Sequence, residues 1–325
     1  MNSKKPQYNQ GLITIPLENG QSLEVTPQEC WRLTEETSAY LFENYGSFDS
    51  VPMRVIEKNN KRFNVAITEH VPFWKKVDKG RWEPHTFEIF DDFLSADHIC
   101  LDIGGWIGPT ALYAAQLAKH VYAFEPDPLA YQELEVNVNL NKLAEWSSRL
   151  SIYNTAIAAH SGTIRLGSRK RGGDSMSSVL FADRSTSWEI QAITLQQFIE
   201  DKQLQHEKLF IKMDIEGGEY ELIPSLKQLL SQYNVDLYLS VHPFYLEESQ
   251  VGGQVQEKEN SLFKRISQRL AFVKYQVKLL RSLPFKYLYH INGQQLRPYK
   301  QILKAIVTGD FTHEIVATNT QWDKS

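Results

Sequence analysis

The chain has 325 residues, of which 42% are hydrophobic, so it can bury a sizeable core and wholesale disorder is not expected. Its 35 basic and 39 acidic residues give a net charge of −4, which is too balanced for nucleic acid as the main partner. Cys30 and Cys100 lie far apart in no metal-binding spacing, which fits a reducing compartment. Residues 1–10 carry no apolar signal segment, and no apolar run reaches the ~20 residues that span a bilayer. We therefore expect a cytoplasmic protein without a membrane span.

Residues 1–94 mix short helical and strand patterns, which predicts an α/β extension. Residues 29–45 have helical periodicity. Residues 51–57 and 62–68 have the composition of strands, and the polar residues 58–61 between them favour a turn. The pattern predicts a β-hairpin ahead of the main domain.

From residue 95 onward, apolar strands alternate with helices, which predicts a mostly parallel sheet with helices on both faces. The predicted strands are 98–102, 120–125, 150–158, 188–193, 209–214 and 235–242, with 162–166 expected to pair beside 150–158. The predicted helices are 109–119, 128–143, 195–200 and 219–230. Ligands of such sheets bind beyond the carboxyl ends of the strands. Asp102, Glu125, Asn154, Asp214 and His242 lie at or near those ends, so we expect them to form one site.

The pattern changes after residue 242. Residues 250–260 are polar and contain a glycine pair, which favours a loop. Residues 261–282 have the pattern of a basic amphipathic helix. Such a helix can dock on a partner subunit, a carrier or a membrane surface. Alternatively, it presents a solvated basic face above a buried apolar face, and the pattern favours this alternative. Residues 286–291 and 313–318 are expected to close the sheet as strands.

The segment Asp102-Ile103-Gly104-Gly105-Trp106-Ile107-Gly108 has glycines where a strand must turn into a helix. Glycine lets the backbone approach a ligand closely, and a helix N-terminus offers free N–H groups. The dinucleotide fingerprint G-x-G-x-x-G, counted from Gly104, would need glycine at Trp106 and Pro109, so it fails. The loop fits a ligand without pyrophosphate, such as S-adenosylmethionine, with Asp102 near the cationic methionine moiety. The alternative is an ordinary tight turn.

Glu125 ends the second strand of the alternating region, 23 residues after Asp102. An acidic residue at about this distance, ~20 residues, accepts hydrogen bonds from ribose hydroxyls in nucleotide-binding sheets. The alternative is a solvated carboxylate at a loop edge. Together, the loop and Glu125 predict a nucleoside cofactor.

Four segments together resemble the FkbM family of S-adenosylmethionine-dependent methyltransferases. They are residues 101–108, Tyr122-Ala123-Phe124-Glu125-Pro126, Asn154-Thr155-Ala156-Ile157 and Ile211-Lys212-Met213-Asp214-Ile215-Glu216-Gly217-Gly218-Glu219. The resemblance covers roughly residues 80–245, about half the chain. It implies a class I methyltransferase fold, which is Rossmann-like, with a mostly parallel seven-stranded sheet and helices on both faces. It also implies O-methylation of a hydroxyl on a sugar or a polyketide-like natural product.

Two features depart from the family pattern. Trp106 stands where the family often has asparagine, and residues 250–282 have no counterpart in it. We expect residues 1–94 to be an N-terminal extension that contributes to the cofactor or acceptor pocket. Residues 95–325 are expected to be the methyltransferase domain, with an insertion at about 246–285.

The resemblance and the strand-end pattern together predict a set of cofactor-binding residues. They are Glu83, Thr86, Asp102, Gly104, Gly105, Trp106, Gly108, Glu125, Pro126, Asn154, Ala156 and Asp214. Glu83 and Thr86 are expected to close over the methionine end of the cofactor; the alternative is a plain helix start with Pro84 in its first turn. The polar loop 172–178 lines the acceptor pocket or is only a solvated connection.

Methyl transfer to a hydroxyl needs alignment with the sulfonium and a base. His242 is one candidate base, and the alternative is a histidine that only hydrogen-bonds the strand end. Asp214 is the second catalytic candidate, either by orienting the acceptor or the methyl group or by binding Mg²⁺ together with Glu216 and His242. The sequence does not require the metal. Lys212 is expected to pair with a carboxylate for structural reasons.

Two other functions stay open. One is a nicotinamide-dependent oxidoreductase on a similar sheet, and the other is a non-catalytic module that only binds S-adenosylmethionine. The expected partner is a small-molecule hydroxyl acceptor, and no nucleic acid is expected. The sequence does not determine the oligomeric state, and a homo-oligomer is one of the possibilities.

Overall fold

The computed structural model describes residues 53–67, 70–167, 187–242, 273–308 and 313–324, together with the backbone of three N-terminal strands. Those strands, β1 Gln7–Asn9, β2 Leu12–Pro16 and β3 Ser22–Val25, form an antiparallel sheet in chain order. The helix expected over 29–45, the loops at 172–178 and 250–260, and residues 261–272 of the basic helix lie outside the described residues.

The predicted hairpin is confirmed. Strand β4, Met53–Lys58, pairs antiparallel with β5, Lys61–Ala66. The two residues between them, Asn59 and Asn60, have φ of 44° and 62°. Two left-handed residues make the tight turn whose twist matches that of paired strands, and asparagine tolerates this conformation better than most residues.

The main sheet has seven strands in the order β14-β15-β13-β12-β6-β7-β8. These strands are β6 His98–Ile103, β7 His120–Phe124, β8 Leu150–Tyr153, β12 Lys208–Met213, β13 Val235–Ser240, β14 Tyr287–Tyr289 and β15 Glu314–Thr318. In this sheet β15 runs in the direction opposite to the other six strands. The predicted α/β fold with a mostly parallel seven-stranded sheet is therefore confirmed.

Helices cover both faces of the sheet, as predicted. They are α1 Val71–Asp78, α2 Pro84–Phe93, α3 Pro109–Ala114, α4 Pro128–Asn139, α5 Leu195–Asp201, α6 Glu219–Ser225, α7 Lys227–Gln232, α8 273–282 and α9 Pro298–Thr308. Successive strand residues point to opposite faces, so Leu101 packs with the core under α5, α6 and α7, whereas Cys100 packs with α1, α2 and α3. In the described chain, no helix is long and apolar enough to cross a membrane.

The described part of the basic helix has the expected arrangement. In α8, Leu279 and Leu280 are buried in the core, and Lys274, Lys278 and Arg281 are exposed. A solvated basic face above an apolar face, the alternative that the pattern favoured, therefore describes this segment.

The strand expected over 150–158 is wrong in extent. It breaks at Asn154, whose amide donates to the carbonyls of Glu125 and Pro126 at 2.9 and 3.3 Å. The chain then leaves the main sheet, and β9, Ala156–Ile157, pairs with β11, Ser187–Ile193. The strand expected beside 150–158, β10 Gly162–Gly167, pairs with β11 instead, so a separate sheet forms in the order β10-β11-β9.

Three predicted helices also differ in extent from those observed. The helix over 219–230 is divided at Leu226 into α6 and α7, because Pro224 inside α6 has no N–H to donate to the preceding turn. The helix over 109–119 ends at Ala114 and continues as turns, in which Leu117 N donates to Ala114 O at 2.9 Å. The helix over 128–143 ends at Asn139.

Two buried asparagines of helix α4 and its C-terminal turn fasten the N-terminal hairpin to the main domain. Asn137 accepts from Ala66 N and donates to Ile107 O, both at 2.8 Å. Asn141 accepts from Asn64 N and donates to Asn64 O, both at 2.8 Å. These amides continue the ladder that the free edge of β5 would otherwise leave unpaired. The hairpin is thereby held against the sheet face covered by α1, α2 and α3.

We predict that Asn137→Ala lowers the free energy of unfolding by about 2 to 4 kcal/mol, because it leaves a buried N–H and a buried C=O without partners. Urea denaturation followed by circular dichroism measures the loss. Asn139→Ala, on the same helix but only half-buried and bonded to Glu135 O of that helix, is the control and should change stability by less than ~0.5 kcal/mol. Equal losses from both variants would contradict the docking role of Asn137.

Candidate functional site

A cavity of about 430 Å³ lies at the carboxyl ends of β6, β7, β12 and β13. The chain passes from β6 outward to β8 and then returns to β12 on the other side of β6, so the strand order reverses at this point. Open α/β sheets bind their ligands at such a reversal, and the volume suits a small molecule. The cavity therefore lies where the sheet topology predicts a site.

The cavity brings many of the predicted residues together. Those that line it are Glu83, Gly104, Gly105, Trp106, Glu125, Pro126, Ala156, Asp214, Glu216 and His242. Thr86, Asp102, Gly108 and Asn154 do not line it. Thr86, Asp102 and Asn154 bond lining residues from behind. The extension contributes Phe73, Trp82 and Glu83 to the wall.

Asp102 and Lys212 form a buried ion pair beneath the glycine loop. Lys212 Nζ lies 3.3 Å from Asp102 Oδ1 and donates to Gly104 O at 2.8 Å, and Thr110 Oγ1 donates to Asp102 Oδ2 at 2.6 Å. Burial disfavours the Lys212 charge, but the Asp102 and Asp214 carboxylates outweigh it and raise the pKa of Lys212. Asp102 is therefore already neutralised by protein groups and lies below the cavity floor.

The glycine loop is shaped by its contact with the neighbouring strand end. Gly104 has φ of 84°, and a Cβ there would lie 1.9 Å from the carbonyl oxygen of Asp214. Only glycine allows β6 and β12 to approach this closely at their ends. Gly104 N and Gly105 N both donate to Phe124 O at 3.0 Å, which ties the loop to β7. Gly108, with φ of 99°, begins α3 against Leu134 and does not line the cavity.

Glu125 is buried at the opposite wall of the cavity. Its carboxylate accepts from Trp106 N at 2.8 Å and from Asp127 N at 2.7 Å. Burial and the nearby Asp127 carboxylate raise the pKa of Glu125 to about 8. Each carboxylate oxygen has a further lone pair, so Glu125 can accept two more hydrogen bonds from a ligand.

Three aromatic rings form one wall. The Phe73 ring lies edge-on to Trp82 and Trp106, with centroid distances of 4.9 and 4.6 Å. Trp106 has φ of 45°, a conformation that a bulky residue adopts only when its surroundings fix it. The sequence did not identify Phe73 or Trp82, because an aromatic residue outside any motif looks the same in a pocket wall as in the core.

His242 lies among three carboxylates. Its Nδ1 is 3.1 Å from Glu219 Oε1, and its Nε2 is 3.5 Å from Asp214 Oδ1 and 3.6 Å from Glu216 Oε2. Glu219 is fully buried and accepts from the amides of Ile215 and Gly217 at 3.0 and 2.9 Å. Burial lowers the pKa of His242, but the hydrogen bond to Glu219 and the charges of Asp214, Glu219 and Glu216 outweigh it and raise the value to about 9.

This pKa bears on the role expected of His242. At pH 7 the imidazole is protonated and donates hydrogen bonds, and it takes a proton only above about pH 9. The side chains of Asp214, Glu216 and His242 also suit a divalent cation, since their ligand atoms all lie within 4.8 Å of one another. A metal-bound histidine commonly donates its other nitrogen to a carboxylate, as His242 Nδ1 does to Glu219. The residues therefore fit either a proton or a cation at Nε2.

Glu83 stands at the start of α2 with φ of 35°, a strained conformation for a residue with a side chain. Thr86 Oγ1 donates to its Oε2 at 3.1 Å. Burial and the charge of Asp214 raise the pKa of Glu83 to about 7. The helix start predicted at Pro84 is present, and it also turns the Glu83 side chain into the cavity wall.

This fold, with a glycine loop after its first parallel strand and an acid after its second, defines a class I methyltransferase. The sequence model described as "Methyltransferase FkbM domain" matches residues 102–277, which is more than half of the chain. The chain belongs to the FkbM methyltransferase family, and the predicted resemblance is confirmed. The family implies the use of S-adenosylmethionine.

Solved structures show similarity at low sequence identity. An FkbM methyltransferase from Methylobacillus flagellatus is 16% identical with a TM-score of 0.36, and the match covers 62% of this chain and 49% of that one. A TehB-like S-adenosylmethionine-dependent methyltransferase from Corynebacterium glutamicum is 9% identical with a TM-score of 0.34, and the match covers 76% of this chain and 94% of that one. This chain thus spans about half the length of the first of these proteins. No relative was found among curated protein sequences.

We predict that Asp102→Asn lowers the free energy of unfolding by about 3 to 5 kcal/mol, because it leaves the Lys212 charge buried without its main partner. Chemical denaturation measures this loss. The double variant Asp102→Asn with Lys212→Met should recover at least half of it, since both charges are then absent. Arg62→Ala breaks an exposed ion pair with Glu57 and should cost less than ~1 kcal/mol. If the loss in the double variant equals the sum of the losses in the two single variants, Asp102 and Lys212 are not coupled.

Proposed function

We propose that this protein transfers the methyl group of S-adenosylmethionine to a hydroxyl oxygen of a sugar or a small natural product. One observation carries the proposal: a single cavity joins a carboxylate suited to ribose, a glycine loop, and a polar cluster beyond the loop. Glu125 lies at one wall, and Asp214 and His242 lie at another. A nucleoside cofactor and a second, polar reactant can therefore bind at different walls of the same cavity.

The ribose belongs at Glu125. Its two carboxylate oxygens are fixed by backbone amides, and its remaining lone pairs accept from the 2′ and 3′ hydroxyls. Pro126 and Ala156 line the neighbouring wall with Ile157, an apolar surface that suits the adenine ring. Asn154 holds the Glu125–Pro126 backbone from behind, and in this proposal it supports the cofactor site without contacting the cofactor.

The methionine end belongs beside Asp214 and Glu83. The carboxylates around this end outnumber the cations, because Asp102, Asp214, Glu216 and Glu219 surround Lys212 and His242, so this part of the cavity stays negative. The sulfonium and the α-ammonium of S-adenosylmethionine are cationic, and opposite charges attract strongly where water is partly excluded. Gly104, Gly105 and Trp106 form the floor, and the edge of the Phe73 ring supports Trp106 against it.

The acceptor hydroxyl belongs between the methyl group and the His242 cluster. Protonated His242 donates a hydrogen bond to the reacting oxygen, and the Asp214 carboxylate accepts one from a neighbouring hydroxyl of the acceptor, so the pair fixes the reacting oxygen for in-line attack. A divalent cation held by Asp214, Glu216 and His242 would instead lower the pKa of the acceptor hydroxyl. The positive charge of His242 also lowers the pKa of a nearby acceptor hydroxyl, so we expect turnover without added metal.

Two alternatives remain distinguishable. A nicotinamide-dependent oxidoreductase would need room for a pyrophosphate at the loop, where Trp106 and Pro109 replace the glycines that the fingerprint requires. A non-catalytic binding module would bind S-adenosylmethionine without turning it over. A fluorescence titration with NADH tests the first, and release of S-adenosylhomocysteine tests the second.

We predict that S-adenosylmethionine binds with an affinity that rises as the pH is raised through about 8. Ribose hydroxyls donate to ionised Glu125, whose pKa in the free protein is about 8, so binding releases a proton below that pH. Isothermal titration calorimetry between pH 6.5 and 9 measures it. Glu125→Gln should bind more weakly and lose the part of the pH dependence that is centred near pH 8. Glu135→Gln, exposed on α4, should keep the wild-type affinity and its pH dependence. Absence of binding by the wild-type protein would refute the proposal.

We predict that His242→Ala lowers turnover about a hundredfold while binding of S-adenosylmethionine is nearly unchanged, and that His242→Gln retains more activity because it keeps a donor. Release of S-adenosylhomocysteine on a panel of sugar and polyketide hydroxyls measures turnover. His120→Gln is the control, because His120 lies at the amino end of β7, away from the cavity. Loss of activity on chelation, restored by Mg²⁺, would favour the cation at the cluster instead.

A further inference from the structure

Four side chains form a continuous line of oxygen atoms from the cavity wall to β15. Glu83 Oε2 lies 3.1 Å from Thr86 Oγ1, which lies 2.8 Å from the Tyr238 hydroxyl, which lies 2.6 Å from Glu314 Oε1. Thr86 and Tyr238 are 0% and 1% exposed. Glu83 lines the cavity, and Glu314 is partly exposed at the start of β15. The line therefore joins the reaction cavity with solvent through the protein interior.

Counting hydrogen atoms constrains the protonation of this line. Its three oxygen–oxygen contacts each need one hydrogen, but the two hydroxyl groups supply only two. If both carboxylates were ionised, two oxygens in a buried place would face each other without a hydrogen between them, which is costly. The line as built therefore holds a third proton, on Glu83 or on Glu314.

We propose that Glu83, Thr86, Tyr238 and Glu314 are a proton path, in which Glu83 takes the proton that the acceptor hydroxyl loses during methyl transfer. This inference rests on the proposed function. It also supplies the base that protonated His242 does not provide at neutral pH, and it places that base at the methionine end of the cofactor, beside the cavity floor.

The step balances as follows. At the start of the cycle Glu83 has lost the third proton and is ionised. The acceptor oxygen forms a bond to the methyl carbon, the carbon–sulfur electron pair stays on sulfur, and the hydroxyl proton passes to Glu83. The two hydroxyl groups turn toward Glu314, so that each of the three contacts holds one hydrogen pointing away from Glu83. A shift of one hydrogen across each contact carries the proton to Glu314 and from there to water, and the hydroxyls turn back, so one proton reaches solvent for each methyl transferred.

The charges around Glu83 suit this exchange. Asp214 and Glu314 disfavour its ionised form, and Lys212 and the hydrogen bond from Thr86 favour it. Burial is the largest influence, and the resulting pKa of about 7 lets Glu83 both take and lose a proton near neutral pH. The Tyr238 hydroxyl is kept protonated, because burial and the nearby Glu314 and Glu83 carboxylates raise its pKa. Tyr238 therefore passes protons along without ionising.

Infrared difference spectroscopy tests the third proton without an acceptor. In protein saturated with S-adenosylhomocysteine, the wild-type spectrum minus that of Glu83→Gln should contain the carbonyl stretch of a protonated carboxylic acid, which fades as the pH rises through about 7. Glutamine can donate to Thr86, so this variant should keep the line and the fold intact. Glu125, whose pKa is also raised, contributes equally to both spectra and cancels. A difference spectrum without this band between pH 5 and 8 would overturn the proposal.

Two tyrosine variants test the path itself. Tyr238→Phe removes the central hydroxyl and should shift the Glu83 band and lower kcat at least tenfold, with affinity for S-adenosylmethionine unchanged. Tyr113→Phe is the matched control, because the hydroxyl of this fully buried tyrosine donates to Asp91 on the same face of the sheet but away from the line. Wild-type kcat in Tyr238→Phe would overturn the path. If the wild-type protein binds no S-adenosylmethionine, the proposed function fails, and the infrared experiment on the free protein still decides whether the third proton exists.

Discussion

The buried ion pair between Lys212 and Asp102 is the interaction on which the site depends. It joins β12 to β6 at the place where the strand order reverses, and the same ammonium group also holds Gly104 O. A single unpaired charge buried at that depth would strongly destabilise the fold, so each partner offsets the cost of burying the other. Because the pair is satisfied within the protein, the loop above it is fixed before any ligand arrives. Around the cavity the carboxylates still outnumber Lys212 and His242, so this edge of the sheet carries a net negative charge.

The polar groups around the cavity separate into two buried systems with different protonation. In one, three carboxylates hold His242 as a cation. In the other, two carboxylates and two hydroxyls hold one proton more than their hydroxyls supply. Both arise from acidic residues crowded near one edge of the sheet, where like charges raise each other's pKa values. One system is suited to donating a hydrogen bond at neutral pH and the other to accepting a proton, so an acid and a base face the same cavity.

The sequence predicted this edge of the sheet well because the rule behind it is topological. Parallel strands all end at the same edge of a sheet, whatever the details of packing. A glycine loop after one strand and an acid after the next therefore lie close together, and Gly104 and Glu125 line the cavity as expected. Elements were less well predicted where one side chain overrides the local pattern. Asn154 ends β8 by bonding the Glu125 and Pro126 carbonyls, and Pro224 divides a helix whose periodicity is otherwise unbroken.

By itself, the sequence determined the fold class, the methyltransferase family and the strand ends that meet at the cavity, since periodicity and short motifs are local properties. Only the tertiary structure decided which of those residues face a ligand. Asp102 and Asn154 carry the expected residue types but point at protein groups, whereas Phe73 and Trp82 carry no motif and line the cavity. The line from Glu83 to Glu314 joins residues 231 positions apart and so exists only in the folded chain. The physical reason is that a side chain's charge state and partner depend on burial and on neighbours from distant strands, which no local pattern contains.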